Sequence, residues 1–338
     1  GLLEGLNPAQ KDAVETVDGP LLIVAGPGSG KTRVITHRIA YRVREYDISP
    51  FNILAMTFAN KAAKEMRGRL DRLMGYRSEA LTVGTFHSFC AKLLRIDEHH
   101  LGLDSNYSIY DADDQATIIK QSMELADVDP KRNPPRAVLS AISKAKNQLW
   151  DSRAMTKNAD QDNFFEETCA RVYHHYEEIL TRNNALDFDD LLMKSVQLLR
   201  EFPEVRKKYQ DRYQYIMVDE FQDTNIAQYQ LARFLAESHQ NICVVGDPDQ
   251  SIYGWRGADM GNILRFEEEF PGAKVVLLEE NYRSTATILE ASNALIRHNS
   301  QRREKELRPT GLRGAKIDVH PCPDAQREAE RVARIIRQ

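Results

Sequence analysis

The sequence has no apolar run approaching the roughly 20 residues that cross a bilayer. Its opening residues, GLLEG, lack the charged region and cleavage pattern of an export signal. Only four cysteines occur (Cys90, Cys169, Cys243, Cys322), and none share a CxxC spacing. That excludes a disulfide framework and a zinc ribbon, leaving reduced, buried thiols and a cytoplasmic setting as the expectation. Basic residues are not in excess either: 46 Lys and Arg against 50 Asp and Glu give a net charge of -4. A histone-like coat for polyanions is thereby excluded, whereas an enzyme with a local groove for one is not. Internal repeats and low-complexity tracts are absent too. What remains is a 338-residue globular chain, 42% apolar and 28% charged, with room for two domains and part of a third.

Short apolar runs rich in β-branched residues recur along it: LLIVA (21–25), NILAMTF (52–58), LTVGTF (81–86), YIMVDE (215–220), ICVVGD (242–247) and KVVLLE (274–279). Helical patterns separate them. Continuous rather than alternating apolar character predicts strands buried on both faces, and hence an α/β fold with a parallel sheet. Ligands of such sheets gather at the carboxyl ends of the strands. Between about 108 and 211 the rhythm stops. Apolar residues there recur at spacings of three and four, predicting an all-helical insert. A third region begins near 280, with a short strand expected around KIDVH (316–320) and a helix over AQREAERVARIIRQ.

Three strand-to-loop junctions carry chemistry. AGPGSGKT (25–32) follows the first strand and precedes a helical pattern, the setting of a P-loop. Gly26, Pro27, Gly28, Ser29 and Gly30 would let backbone amides turn inward on phosphate, helped by the helix N-terminus. Lys31 would reach the β- and γ-phosphates and Thr32 would ligate Mg²⁺. Ala25 stands in the first glycine place of the motif, where a small residue still permits the turn. IMVDEFQDT (216–224) supplies Asp219 as the metal-holding carboxylate and Glu220 as the base that polarises water. VVGDPDQSIYGWRGA (244–258) offers Gln250, with an amide suited to a γ-phosphate or its water. Tyr253 and Trp255, followed by Arg256, suit base stacking and phosphate contact in single-stranded nucleic acid. Core packing is the competing reading of those two aromatics taken alone.

In this order the motifs resemble superfamily 1 DNA helicases of the UvrD/Rep/PcrA family, over essentially the whole chain. LNPAQKDAV (6–14), TFANKAAKEMRGR (57–69), GTFHSFC (84–90) and LEENYRST (278–285) extend the likeness. The resemblance implies a P-loop, RecA-like motor domain over 1–107 and 212–278, a helical insert over 108–211, and the start of a second RecA-like domain over 279–338. It implies Gln10 as adenine reader, Tyr282 stacked on adenine, Arg283 as an arginine finger, and Arg33 near the nucleotide. Phe58, Asn60, Lys61, Thr85, His87, Tyr253, Trp255 and Arg256 would line the single-strand path. ATP and Mg²⁺ are the implied cofactors. Single-stranded DNA, its junctions with duplex, and repair or replication proteins are the implied partners, with no membrane involved. Movement in this family runs 3′ to 5′.

Departures from the family wording are Ala59, Phe221 and Gly254, the last replacing a frequent Arg, a change expected to weaken one phosphate or nucleotide-proximal contact. Motifs V and VI do not occur, so this stretch alone is expected to bind ATP with weak or no turnover and no unwinding. Two other readings are the motor subunit of a recombination helicase–nuclease and a non-catalytic nucleic-acid binder. Intact Lys31, Thr32, Asp219 and Glu220 argue against the latter. Asp187, Asp189 and Asp190 are expected to cap a helix rather than hold metal. His99–His100 and His174–His175 are expected on surface helices. The basic runs 67–77 and 302–308 are expected as solvated faces, with DNA-backbone contacts as the alternative.

Overall fold

The structure, a computed structural model, describes residues 1–160, 163–254, 257–299 and 304–337. The chain opens with α1 (Pro8–Glu15), β1 (Leu21–Ala25), α2 (Lys31–Glu45), β2 (Ile53–Thr57), α3 (Asn60–Met74), β3 (Thr82–Thr85) and α4 (Phe86–Asp97). The two-residue strand β4 (Ser108–Ile109) then leads into α5 (Ala112–Leu125), α6 (Pro135–Asn147), α7 (Ser152–Asn158) and α8 (Phe164–Arg182). After β5 (Ala185–Leu186), which pairs with β4, come α9 (Phe188–Glu201) and α10 (Pro203–Arg212). Alternation resumes with β6 (Tyr215–Val218), α11 (Ile226–Ala236), β7 (Ile242–Gly246), α12 (Gly261–Glu269) and β8 (Lys274–Leu278). The last elements are β9 (Glu280–Asn281), α13 (Ala286–Ile296), β10 (Arg308–Pro309) and α14 (Ala325–Arg337).

Six strands form one sheet in the order β3-β2-β6-β7-β1-β8, and every pairing is parallel. β1, β2 and β7 are buried along their whole length, because helices cover both faces and no side of these strands meets water. On one face, Ile23, Ala55 and Val245 pack with Val34 and Ile39 of α2 and Leu70 of α3. On the other, Leu22, Leu54 and Val244 pack with α4, α9, α10, α11 and α12 through Leu93, Leu199, Tyr209, Leu231 and Phe266. The six expected strands all form. Phe58, Asp219 and Glu220, read as strand residues, instead lie just past the strand ends. There the ladder gives way to the loops that carry the candidate site.

Helices α5, α6, α7 and α8 share a separate core of Ile118, Met123, Val138, Ile142, Met155, Tyr173 and Tyr176. At its base Lys146, almost wholly buried, donates to Asp187 at 2.9 Å and Asp190 at 2.8 Å. Burial opposes the Lys146 cation, but the Asp190 and Asp187 charges hold its pKa above the ordinary lysine value. Asp187 also caps α9 in a reciprocal box with Asp190, and it accepts from Tyr176. These aspartates thus cap a helix and neutralise a buried ammonium at once.

Two expectations about these elements fail. Residues 316–320 form no strand, because no described neighbour offers them a backbone ladder, and α14 beyond them is exposed throughout. Cys90, Cys169 and Cys243 are buried thiols, but Cys322 is only half-buried, lying in the same extended stretch. His99 and His100 lie on a short surface turn of helix, with His100 half-buried and its ring 5.1 Å from that of Phe202. Among the described residues no helix is long and apolar enough to cross a membrane.

Candidate nucleotide site and its rim

The loop after β1 is built for close approach to its own backbone. Gly28 (φ 66°) and Gly30 (φ 87°) take left-handed conformations that a Cβ would penalise. A Cβ on Gly28 would also meet Asn281 Nδ2 at 2.8 Å. Ala25 ends β1, and the Gly26 amide donates to the Leu278 carbonyl at 3.1 Å. The buried Ser29 hydroxyl closes the turn on the Gly26 carbonyl at 2.6 Å. Lys31 and Thr32 open α2, so the amides of its first turn face the loop with no helical acceptor behind them. Gln10 is buried beneath the loop: its Oε1 accepts from the Asn7 amide and its Nε2 donates to the Ser29 carbonyl at 2.9 Å. Arg33 is exposed, with a guanidinium nitrogen 3.5 Å from the Glu4 carbonyl.

Beyond β6, Asp219 is buried and Glu220 takes φ 49°, a left-handed angle uncommon outside glycine. That turn brings Glu220 Oε2 to 3.0 Å from Lys31 Nζ. Burial first, then the Glu220 charge, pushes Asp219 up to about 6, while the Glu220 amide and Lys31 pull the other way. Asp223 is likewise pushed up to about 6, by burial and then by Glu220. Its Oδ1 is buried without a hydrogen-bond partner. Gln222 bridges the group, donating to Glu220 at 2.8 Å and accepting from the Asp247 amide at 2.9 Å. Neither Gln222 nor Asp223 was singled out from sequence, although both lie in the same DEFQDT string. Among the described residues no cluster of three or more His, Cys, Asp or Glu forms a metal cage. A cation beside Asp219 would therefore draw its remaining ligands from the Thr32 hydroxyl, phosphate and water, the habit of magnesium.

Two further segments close on the cradle. The Tyr282 amide donates to the Gly28 carbonyl at 2.9 Å. Its hydroxyl donates to Glu280 at 2.6 Å and accepts from Asn7 at 2.9 Å. Asn281, buried, donates to the Pro27 carbonyl at 2.5 Å and accepts from the amides of Arg283 and Ser284. The Arg283 side chain is exposed beside Gly28. Gln250 donates to Asp247 Oδ2 at 2.6 Å. Lys305 corrects the reading of 302–308 as a solvated face. It is buried, with Nζ 2.5 Å from Asp247 Oδ1 and paired to Asp249 as well, since an ammonium leaves water only where carboxylates replace it.

The nucleic-acid candidates lie at or just past the carboxyl ends of β2, β3 and β7 on the same rim of the sheet. Phe58 follows β2, half-buried with its ring 5.7 Å from Phe86, so its inner face belongs to the core. Asn60 and Lys61 start α3 and are exposed. Thr85 is buried and caps α4 by accepting from the Ser88 amide at 3.1 Å. His87 is half-buried, which lowers its pKa, and meets Phe188 edge-on at 6.4 Å. Phe188, half exposed at the start of α9, was passed over in the sequence because the acidic string around it reads as a cap. Tyr253 is exposed in the loop after β7. Trp255 and Arg256 lie outside the described residues.

A parallel sheet whose first strand feeds a glycine turn and a lysine-led helix, with an acidic pair two strands away, defines a P-loop, RecA-like nucleotide-binding fold. Comparison with known families agrees. The UvrD/REP helicase N-terminal domain matches residues 6–271, and the UvrD-like helicase C-terminal domain matches residues 276–338. The chain belongs to the UvrD/REP helicase family. It is 49% identical over 335 residues to the ATP-dependent DNA helicase PcrA of Staphylococcus epidermidis, covering 99% of this chain and 46% of that protein. Against the PcrA helicase of Bacillus subtilis the identity is 48% over 337 residues, covering 100% and 45%. The chain thus spans about half the length of the curated relatives it matches.

Proposed function

We propose that this chain supplies the ATP-binding portion of a DNA helicase, a motor coupling ATP hydrolysis to movement on single-stranded DNA and duplex unwinding in repair or replication. The observation that carries the reading is the 3.0 Å pair of Lys31 and Glu220, with Asp219 buried alongside. A phosphate-binding cation and a base thus meet at the glycine turn. The pair is more than a third exposed on the Glu220 side, contributes little to the fold, and parts readily for a triphosphate.

The residues present fit ATP with magnesium: the orphaned Asp223 oxygen and the raised Asp219 carboxyl both describe a place where negative charge is in excess. Thr32 and Asp219 would hold the metal, which when bound offsets phosphate charge. Lys31 would grip the β- and γ-phosphates, Glu220 would accept a proton from the attacking water, and Gln250 would orient that water. Arg283 would meet the charge growing on the transferred group. Tyr282 would cover the adenine and Gln10 would read its edge, with Arg33 nearby. Phe58, Asn60, Lys61, Thr85, His87 and Tyr253, with Trp255 and Arg256, would carry the strand past the β2, β3 and β7 ends. Single-stranded DNA and its junctions with duplex are the proposed substrates, 3′ to 5′ the proposed direction.

The proposed division keeps a first motor domain over 1–107 and 212–278, a helical domain over 108–211, and a second motor domain beginning at 279. The separate core of α5 to α8 supports it. The test is ATP hydrolysis by the full-length protein with and without single-stranded DNA, beside its Glu220→Gln variant. Turnover stimulated by DNA, lost in the variant while nucleotide binding persists, is the expected result. A variant with unchanged turnover would overturn the role of Glu220, and a parent without stimulation would overturn the reading.

A further inference from the structure

Resting on that reading, the geometry points to Lys305 as a positioning residue for ATP hydrolysis: it locks Asp247, and through it Gln250, to the segment that delivers Arg283. Asp247 is wholly buried just past β7, and its two carboxylate oxygens face different partners. Oδ2 accepts from Gln250 Nε2 at 2.6 Å, while Oδ1 faces Lys305 Nζ at 2.5 Å and accepts from the Asp249 amide at 3.1 Å. Lys305 also pairs with Asp249. Gln250 is therefore aimed by a carboxylate whose own place is set by an ammonium from a segment 58 residues away.

That segment is not independent of the nucleotide. Lys305 lies three residues before β10, and β10 pairs with β9 through Arg308 to Glu280 and Pro309 to Asn281. β9 runs directly into Tyr282 and Arg283. One small two-stranded unit thus presents Arg283 to the cradle and Lys305 to the loop after β7. A shift of this unit when Arg283 engages a phosphate must pull on Asp247 and turn Gln250. The loop from Ser251 onward, which leads to Tyr253, hangs from the same point. A buried ion pair is a poor device for stability, since well-packed apolar side chains do as well. Its strength is fixed geometry, and here the geometry joins two groups that must act on one phosphate together.

The test compares the full-length parent with Lys305→Met, Gln250→Ala and the double variant, measuring kcat and KM for DNA-stimulated ATP hydrolysis and the Kd of a fluorescent nucleotide. Lys305→Met is expected to lower kcat about tenfold while leaving KM and Kd within about twofold. The double variant should be no slower than Gln250→Ala alone, because both changes remove one device. An unchanged kcat, a parallel loss of nucleotide binding, or multiplying losses in the double variant would each overturn the assignment. Lys305→Gln, which keeps a polar side chain, serves where Lys305→Met melts below the assay temperature, and the same outcomes decide. A parent without DNA-stimulated turnover would overturn the functional reading as well, which separates the two failures.

Discussion

Asn281 holds the cradle to the second segment: its amide nitrogen donates to the Pro27 carbonyl at 2.5 Å, from a position 254 residues further along the chain. The other end of the same amide accepts from the Arg283 and Ser284 backbones at 2.9 and 2.8 Å. One planar group thereby fixes the distance between the phosphate loop and the arginine proposed to act on the phosphate. Asn281→Ala leaves three backbone groups without that partner, at a cost of about 1–3 kcal/mol for those kept from water. The expected result is a modest drop in melting temperature and a larger drop in kcat for ATP hydrolysis than in nucleotide affinity. Steady-state kinetics beside a binding titration check it; equal losses in both would refute the positioning role.

Lys146 carries a different sort of weight. Its ammonium is the counter-charge for Asp187 and Asp190, all three buried where α6, α8 and α9 meet. Lys146→Met strands two carboxylates and is expected to cost about 3–5 kcal/mol in urea unfolding. Adding Asp187→Asn and Asp190→Asn should recover part of that loss, because the uncompensated charge then disappears. A triple variant as unstable as the single one would show that packing of the lysine stem, not charge, is what matters.

Asp189 gives the stability a pH signature. Burial and then the Asp187 charge push its carboxyl from 3.8 up to about 6, against hydrogen bonds from Ser143 and Asn147 and the charge of Lys146. A carboxyl raised in the folded state binds more protons there than when unfolded, so its contribution falls as pH rises from about 4 to about 6 and stays low above. Asp189→Asn removes this fall. The variant should gain on the parent across that window, by on the order of 1–2 kcal/mol at pH 7 after discounting for partial exposure. Urea midpoints at pH 4, 5, 6 and 7 measure it; a constant difference would sink the assignment.

How much of this was legible in the sequence follows from what sequence patterns record. Burial on both faces writes itself as unbroken apolar runs, as in Leu21–Ala25, Ile53–Thr57 and Ile242–Gly246, while the partly buried edge strands β3 and β8 were legible from their β-branched residues. The cradle and the acidic pair were legible because a glycine turn and a strand-end carboxylate have local signatures. KIDVH has strand-like alternation, but a strand exists only with a neighbour to pair with, and no described residue supplies one. Asn281 and Lys305 were missed for another reason. Each makes its decisive contacts with residues far away in the chain, and such polar pairs leave no periodicity behind. Lys305 in particular sits in a string of charges that reads as surface until Asp247 and Asp249 are placed beside it.

The pairing of Ile53 with Tyr215 has a consequence for how the chain comes into being. β2 waits for β6, and β1 waits for β7 and β8, so a ribosome must deliver the chain as far as β8 before the six-stranded sheet can close. Helices α5 to α8, with a core of their own, can condense while β1 still has no partner and β2 has only β3. Synthesis order thus sets a period in which Leu21–Ala25 is an unpaired apolar segment, and chaperone capture of nascent chains should concentrate there.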